Sequence, residues 1–273
     1  KAVSGNLPNG DVNSIRQDPV NPNLLYAPTE FGFYVSLNDG QSWSQFMPDL
    51  PTGRMDEVLV HPREHDLILS GHGYSVLILD DVTALEQATS AVLAEDAHVF
   101  KPRDAVAWKN DVRERTEVPG EKFWEGQIAP RGTAISYYLK AAATSDVKVT
   151  IADTGSGQEI FSCIGDKNQG LNRFQWALTQ DEGMAGRGGG RGGRGGGAGG
   201  GAGAGPAPAA TGPVSCSAPP AGGRGGFGGG GGGRGGGGGA VEPGVYKVTV
   251  SVGGKEIGSE TFKVLEDVWM KGR

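Results

Sequence analysis

The chain has 273 residues, two cysteines and a net charge of −6. That length allows one or two domains, and the charge speaks to solubility rather than to fold. No apolar run reaches 18 residues, which excludes a helical membrane span. Glycine is in excess, 50 residues, but about 31 of these lie between positions 183 and 239, and elsewhere the composition is globular. The sequence opens at Lys1 in mid-pattern, so the lack of a signal segment carries no weight.

From the N-terminus the pattern is all-β. Short runs at 12–17, 24–28, 33–37 and 42–46 read as strands, separated by Pro, Asn, Asp and Gly. Further strands are expected at 57–60, 67–70 and 75–79. A single helical turn is expected at 82–87, with Asp81 as its cap. Two of these stretches repeat. Asp18-Pro19 is followed by Leu24-Leu25-Tyr26, and His61-Pro62 by Leu67-Ile68-Leu69. Pro19 and Pro62 stand about 43 residues apart, the length of a four-stranded propeller blade. A propeller closes with roughly four to eight blades, and only two copies are visible. Residues 1–100 are therefore read as the last blades of a β-propeller. The remaining blades are expected as partners, in another chain or in sequence ahead of Lys1.

The first repeat carries Ser36-Leu37-Asn38-Asp39-Gly40-Gln41-Ser42-Trp43. It resembles the Asp-box, Ser-x-Asp-x-Gly-x-Thr-Trp, of sialidases and sortilin-type propellers. Ser36, Gly40 and Trp43 match it, while Asn38 and Ser42 replace the Asp and Thr. The motif is structural: side-chain acceptors hold turn amides, and the Trp packs between strands. The second repeat has Leu79-Asp80-Asp81 in its place.

Residues 101–128 are polar and irregular. They read as a linker held by Trp108, Phe123 and Trp124. Residues 129–273 read as an Ig-like β-sandwich. Its strands are expected at 134–140, 147–151, 160–161 and 172–178, and then at 245–252 and 255–264 about a Gly253-Gly254 turn. The glycine tract, 183–239, interrupts this domain as a looped-out insertion, because it has almost no apolar side chains to bury. It carries Arg187, Arg191, Arg194, Arg224 and Arg234, with Phe227 its lone aromatic. Such Arg-Gly repeats can bind nucleic acid, but the charges are sparse, and a flexible insertion is the leading reading. Cys163 and Cys216 are either two free thiols or a disulfide closing a long loop.

The layout as a whole resembles a group of secreted bacterial proteins described as glycosyl hydrolase, BNR-repeat or sortilin/VPS10-like. The resemblance rests on the stretch from Gly71-His72-Gly73 through Leu79-Asp80-Asp81-Val82-Thr83, then Ala97-His98-Val99-Phe100-Lys101-Pro102-Arg103. Further along it rests on Ile135-Ser136-Tyr137-Tyr138-Leu139, Gly170-Leu171-Asn172-Arg173-Phe174-Gln175-Trp176 and Pro243-Gly244-Val245-Tyr246. It implies an extracellular or periplasmic location.

Catalytic constellations are weak. His61-Pro62-Arg63-Glu64-His65 matches a zinc-protease pattern, but Pro62 breaks the helix that pattern needs, so it reads as a turn between strands. Sialidase-type chemistry needs arginines, a Tyr with a carboxylate, and an acid/base. Arg16, Tyr26, Glu30, Tyr34 and Asp56 are available without diagnostic spacing. No catalytic residue, metal site or cofactor is assigned. Glu30 and His72, each just before a repeat glycine, are the candidates to face a central channel. The expected role is a scaffold that binds protein or glycan. The alternatives are part of a glycoside hydrolase whose catalytic residues lie on other blades, and an Arg-Gly nucleic-acid binder.

Overall fold

The computed structural model describes residues 3–46, 50, 53–73, 76–109, 130–180, 215–216 and 240–268. Among the described residues the fold is all-β apart from two five-residue helices. Among the described residues no helix is long and apolar enough to cross a membrane.

The first sheet is an antiparallel meander of β1 (Arg16–Gln17), β2 (Leu25–Thr29), β3 (Gly32–Ser36) and β4 (Ser44–Phe46). Its first turn is built by side chains. Asp18 Oδ1 accepts from the Val20 and Asn21 amides at 2.8 and 2.9 Å, and Asn21 Oδ1 accepts from the Asn23 amide. The second sheet is a meander of β5 (Met55–Val60), β6 (Leu67–Gly71) and β7 (Val76–Leu79). The two sheets share one core. Leu24, Tyr26, Phe33 and Val35 of the first pack with Val58, Val60, Leu67 and Leu69 of the second. The other face of the first sheet, with Leu25, Ala27 and Trp43, is closed by Leu7 from the N-terminal segment.

The ladders correct the repeat by one residue. Gln17, Leu25 and Ser36 form one cross-strand row, and Val60, Leu67 and Leu79 form its counterpart. Arg16, Tyr26 and Val35 likewise correspond to Leu59, Ile68 and Ile78. Tyr26 thus matches Ile68, not Leu69 as the leucine alignment has it. The first turn, 18–24, is one residue longer than the second, 61–66, and a one-residue slip in a strand exchanges its two faces.

Helix α1 (Thr83–Gln87) follows, then α2 (Ser90–Ala94), which the sequence reading did not anticipate. Asp81, at φ 60°, lies just ahead of α1. Its carboxylate accepts from the Thr83 amide and hydroxyl at 3.2 and 2.6 Å.

Two further sheets enclose the largest core. One has the order β13-β10-β8 and the other β12-β11-β14-β15-β9. The strands are β8 (Ala97–Val99), β9 (Ala105–Ala107), β10 (Thr133–Leu139), β11 (Val147–Asp153), β12 (Glu159–Gly165), β13 (Gly170–Trp176), β14 (Gly244–Val252) and β15 (Lys255–Glu266). Tyr246, Val248 and Val250, with Val149 beside them in the same sheet, face Ile135, Tyr137, Leu139 and Trp176 in that core. Trp176 lies edge-on to Tyr246 and Phe262, with centroids 5.9 and 5.8 Å away. Gly253 and Gly254, both at positive φ, close the β14–β15 hairpin.

β8 and β9 straddle the expected break at 100/101, and both join these C-terminal sheets. β8 pairs with β10, and β9 runs parallel to β15. Phe100, between them, is 1% exposed and packs with Ala84, Ala88, Leu93 and Tyr138. The helices therefore fill the space between the first two sheets and the outer side of β10. Arg173 Nη2 adds a hydrogen bond to the Asp80 carbonyl.

Thr179 and Ala240 form an isolated antiparallel bridge, so the two flanks of the glycine tract lie side by side. Within the tract only Ser215 and Cys216 are described, and Cys163–Cys216 is a disulfide spanning 53 residues. The rest of the expected insertion, with its arginines and Phe227, lies outside the described residues. So do 110–129, which hold Phe123 and Trp124 of the expected linker. Trp108 is 51% exposed.

Candidate functional site

The Ser36–Trp43 turn is held by its own side chains. Ser36 Oγ accepts from the Gly40 and Asn38 amides and donates to Asn38 Oδ1. Asn38 Oδ1 also accepts from the Ser42 amide at 2.9 Å, and its Nδ2 donates to Ser42 Oγ at 2.8 Å. Asn therefore supplies the acceptor an Asp would, and a donor besides. Asp39 and Gly40 take the left-handed backbone at φ 55° and 77°. Trp43 is 4% exposed; its Nε1 donates to the Val3 carbonyl, and its backbone exchanges hydrogen bonds with the Asn6 side chain. These contacts are architectural: they close the turn on itself and tie it to the N-terminal segment.

Glu30 and His72 do come to the same end of the two sheets. Glu30 lies in the β2–β3 turn and His72 in the β6–β7 turn. Between them stands Arg54, whose Nε donates to Asp56 Oδ1 at 2.6 Å. His72 Nδ1 lies 3.8 Å from Asp56 Oδ2, and its amide donates to the Arg54 carbonyl. The hydrogen bond and charge of Asp56 raise the pKa of Arg54, with smaller contributions from Glu30 and Asp11. Phe31, beside Glu30, is 61% exposed. This edge is open: the His72 side chain is 82% exposed. The sequence pointed to Glu30 and His72 through the repeat, but it gave no signal for Arg54 and Phe31.

The residue types available for sialidase-like chemistry do not converge. Tyr26 is wholly buried and donates to Asp18 Oδ2 at 3.1 Å. Burial, then the Asp18 charge, raises its pKa far beyond a nucleophile's range. Arg16 pairs with Glu57 at 2.7 Å. Tyr34 packs against the Leu25–Ala27–Trp43 face, opposite to Tyr26.

His61 and His65 sit in the β5–β6 turn and serve it separately. His61 Nδ1 accepts from the Glu64 amide, while His65 Nδ1 pairs with the buried Glu86 at 2.8 Å. Burial raises the pKa of Glu86 against the opposing hydrogen bond from His65. Among the described residues no group of three His, Cys, Asp or Glu could hold a metal ion.

Two cavities border these residues. One of about 540 Å³ lies between β3–β4 and the helices, with Val35, Leu37, Phe46, Leu85 and Leu93 in its wall. The other, about 320 Å³, contains Glu64, Asp66, Asp80, Arg103 and Trp108. Arg103 Nη1 donates to the Glu64 carbonyl and, at 3.2 Å, to Asp66 Oδ1. Burial first, and Asp66 second, raise the pKa of Asp80, while Arg103 and Arg173 oppose them. Arg103 belongs to the Lys101-Pro102-Arg103 phrase noted in the sequence, which gave no hint of this pairing.

No family model, curated protein or solved structure gives a significant match to this chain.

Proposed function

We propose that this chain is a binding and scaffold portion of a secreted Asp-box propeller protein, without catalysis of its own. In this reading β1–β4 and β5–β7 are two blades, and the sheets built from β8–β15 form an Ig-like sandwich docked on them. The edge that carries Glu30, Phe31, Arg54 and His72 meets a protein or glycan. That edge is the observation that carries the reading. It combines an exposed aromatic ring with an arginine and both signs of charge, the chemistry enriched at recognition surfaces. Its groups are open and engaged in ion pairs, an arrangement suited to contact and not to an enclosed reaction. The Cys163–Cys216 bridge suits an oxidising compartment.

Glycan-array and protein-array binding by the full chain tests this, with Phe31→Ala and Arg54→Ala as probes. The expected result is binding lost in both variants at unchanged melting temperature, with no turnover of chromogenic glycosides. Binding that survives both changes would refute the assigned edge. Turnover by the purified chain would favour the hydrolase alternative instead.

A further inference from the structure

Leu59, Ile68 and Ile78 form one row across the outer face of the β5–β6–β7 sheet. Val76 shares that face, opposite Ser70. Leu59, Val76 and Ile78 are 49%, 58% and 60% exposed. Single apolar residues scatter over any protein surface, but neighbouring ones across three strands make a patch. The corresponding face of the first sheet bears Tyr26, Phe33 and Val35, and there all three are buried. The inner face of the second sheet covers them, through Val58, Val60, Leu67 and Leu69. Among the described residues the same face is thus covered once and bare once.

A second repeat bears on what belongs there. Asn6-Leu7-Pro8-Asn9-Gly10, ahead of the first sheet, recurs as Asp49-Leu50-Pro51-Thr52-Gly53 ahead of the second. Leu7 packs on the inner face of the first sheet, and Leu50 joins the core at the inner face of the second. Each sheet therefore brings its own leading leucine to its inner face and leaves its outer face to the next sheet.

We infer that the outer face of β5–β7 is a docking surface for a third antiparallel sheet of the same build. That sheet presents an aliphatic inner face like Val58, Val60, Leu67 and Leu69. The inference rests on the blade reading above and names the partner it requires. A second copy of this chain is a poor occupant, because both of its inner faces are filled. The first sheet fills one, and Leu7 with Trp43 fills the other.

The test begins with the full chain and the dye 1-anilinonaphthalene-8-sulfonate. Wild type is expected to bind it, and Ile78→Glu to bind several-fold less at the same melting temperature. A copy of residues 50–82, which carries the inner face of Val58, Val60, Leu67 and Leu69, is then joined ahead of Leu7 through a flexible Gly-Ser linker, with its own Leu59 and Ile78 changed to Glu. Dye binding is expected to fall to the level of Ile78→Glu, and that substitution in the original sheet, silent before, becomes destabilising. Wild type binding no more dye than Ile78→Glu overturns the inference. So does a defined dimer of the original chain that Ile78→Glu dissolves, since a second copy would then be the occupant. A lengthened chain that keeps binding dye, or that gains no β signal, overturns it too. Ligand binding at the Glu30–Arg54 edge is read separately, so its failure leaves this result standing.

Discussion

Asn38 and Trp43 do different work within one turn. Asn38 satisfies three polar partners, while Trp43 removes a large apolar surface from water between β2 and the N-terminal segment. Trp43→Ala is expected to cost about 3–5 kcal/mol, as for other buried aromatics, measured by denaturant unfolding. Asn38→Ala is expected to cost about 0.5–1.5 kcal/mol, because the Ser42 amide and hydroxyl, both near solvent, exchange their partner for water. Asn38→Asp keeps both acceptor bonds and should cost less than Asn38→Ala. Asp80 gives the opposite sign. Its pKa is raised in the fold, so its favourable contribution is complete below the ordinary Asp range and is lost as pH rises through the folded value. At neutral pH its charge opposes folding. Asp80→Asn should therefore raise the melting temperature at pH 7, with the gain vanishing near pH 3; a loss at pH 7 would contradict the burial argument.

Among the elements, the strands with clear alternation were legible in the sequence. β10, β14 and the Gly253-Gly254 hairpin follow from period two and a turn with two free glycines. β8 and β9 were not. Each is three residues long, too short to show a period, and each exists because a longer strand offers it an edge. The one-residue offset between the first two sheets is hidden for a related reason. The repeat is visible through Pro19 and Pro62, but turn length sets the faces, and a one-residue difference is invisible in the apolar pattern. Glu30 and His72 stand out in the sequence because the repeat carries them. Arg54 does not, because its neighbours Asp56, His72 and Glu30 come together only when the two sheets pack. The Thr179–Ala240 bridge leads to an element-scale prediction. Replacing 184–239 with a short Gly-Ser linker, in a Cys163→Ser background, should leave the β signal and a cooperative transition intact. Loop-closure cost varies only slowly with length. Loss of cooperative unfolding in that variant would show that the tract contributes more than a connection.

Over the whole molecule, the halves share structure and do not merely adjoin. Phe100, Tyr138 and the two helices form one cluster, and β8 and β9 complete sheets whose other strands come after residue 130. A chain ending at residue 109 would leave β8 without β10 and β9 without β15, and would expose Phe100. It is expected to lack a cooperative transition in circular dichroism. A monomeric 1–109 protein that melts in a single sharp step would contradict this coupling.

The parallel pairing of β9 with β15 decides how the protein responds to tension. A pull toward the N-terminus draws β9 one way along its axis, and a pull toward the C-terminus draws β15 the other way. Because the strands run parallel, their hydrogen bonds are loaded together in shear and cannot be unzipped one at a time. Stretched between its ends in an optical trap, the C-terminal half should yield at a higher force than the β14–β15 hairpin pulled open from its two strand ends. Val106→Pro, placed within the parallel ladder, should lower that force. A fold built this way would hold under load, with residues 97–107 as the strap through which force passes.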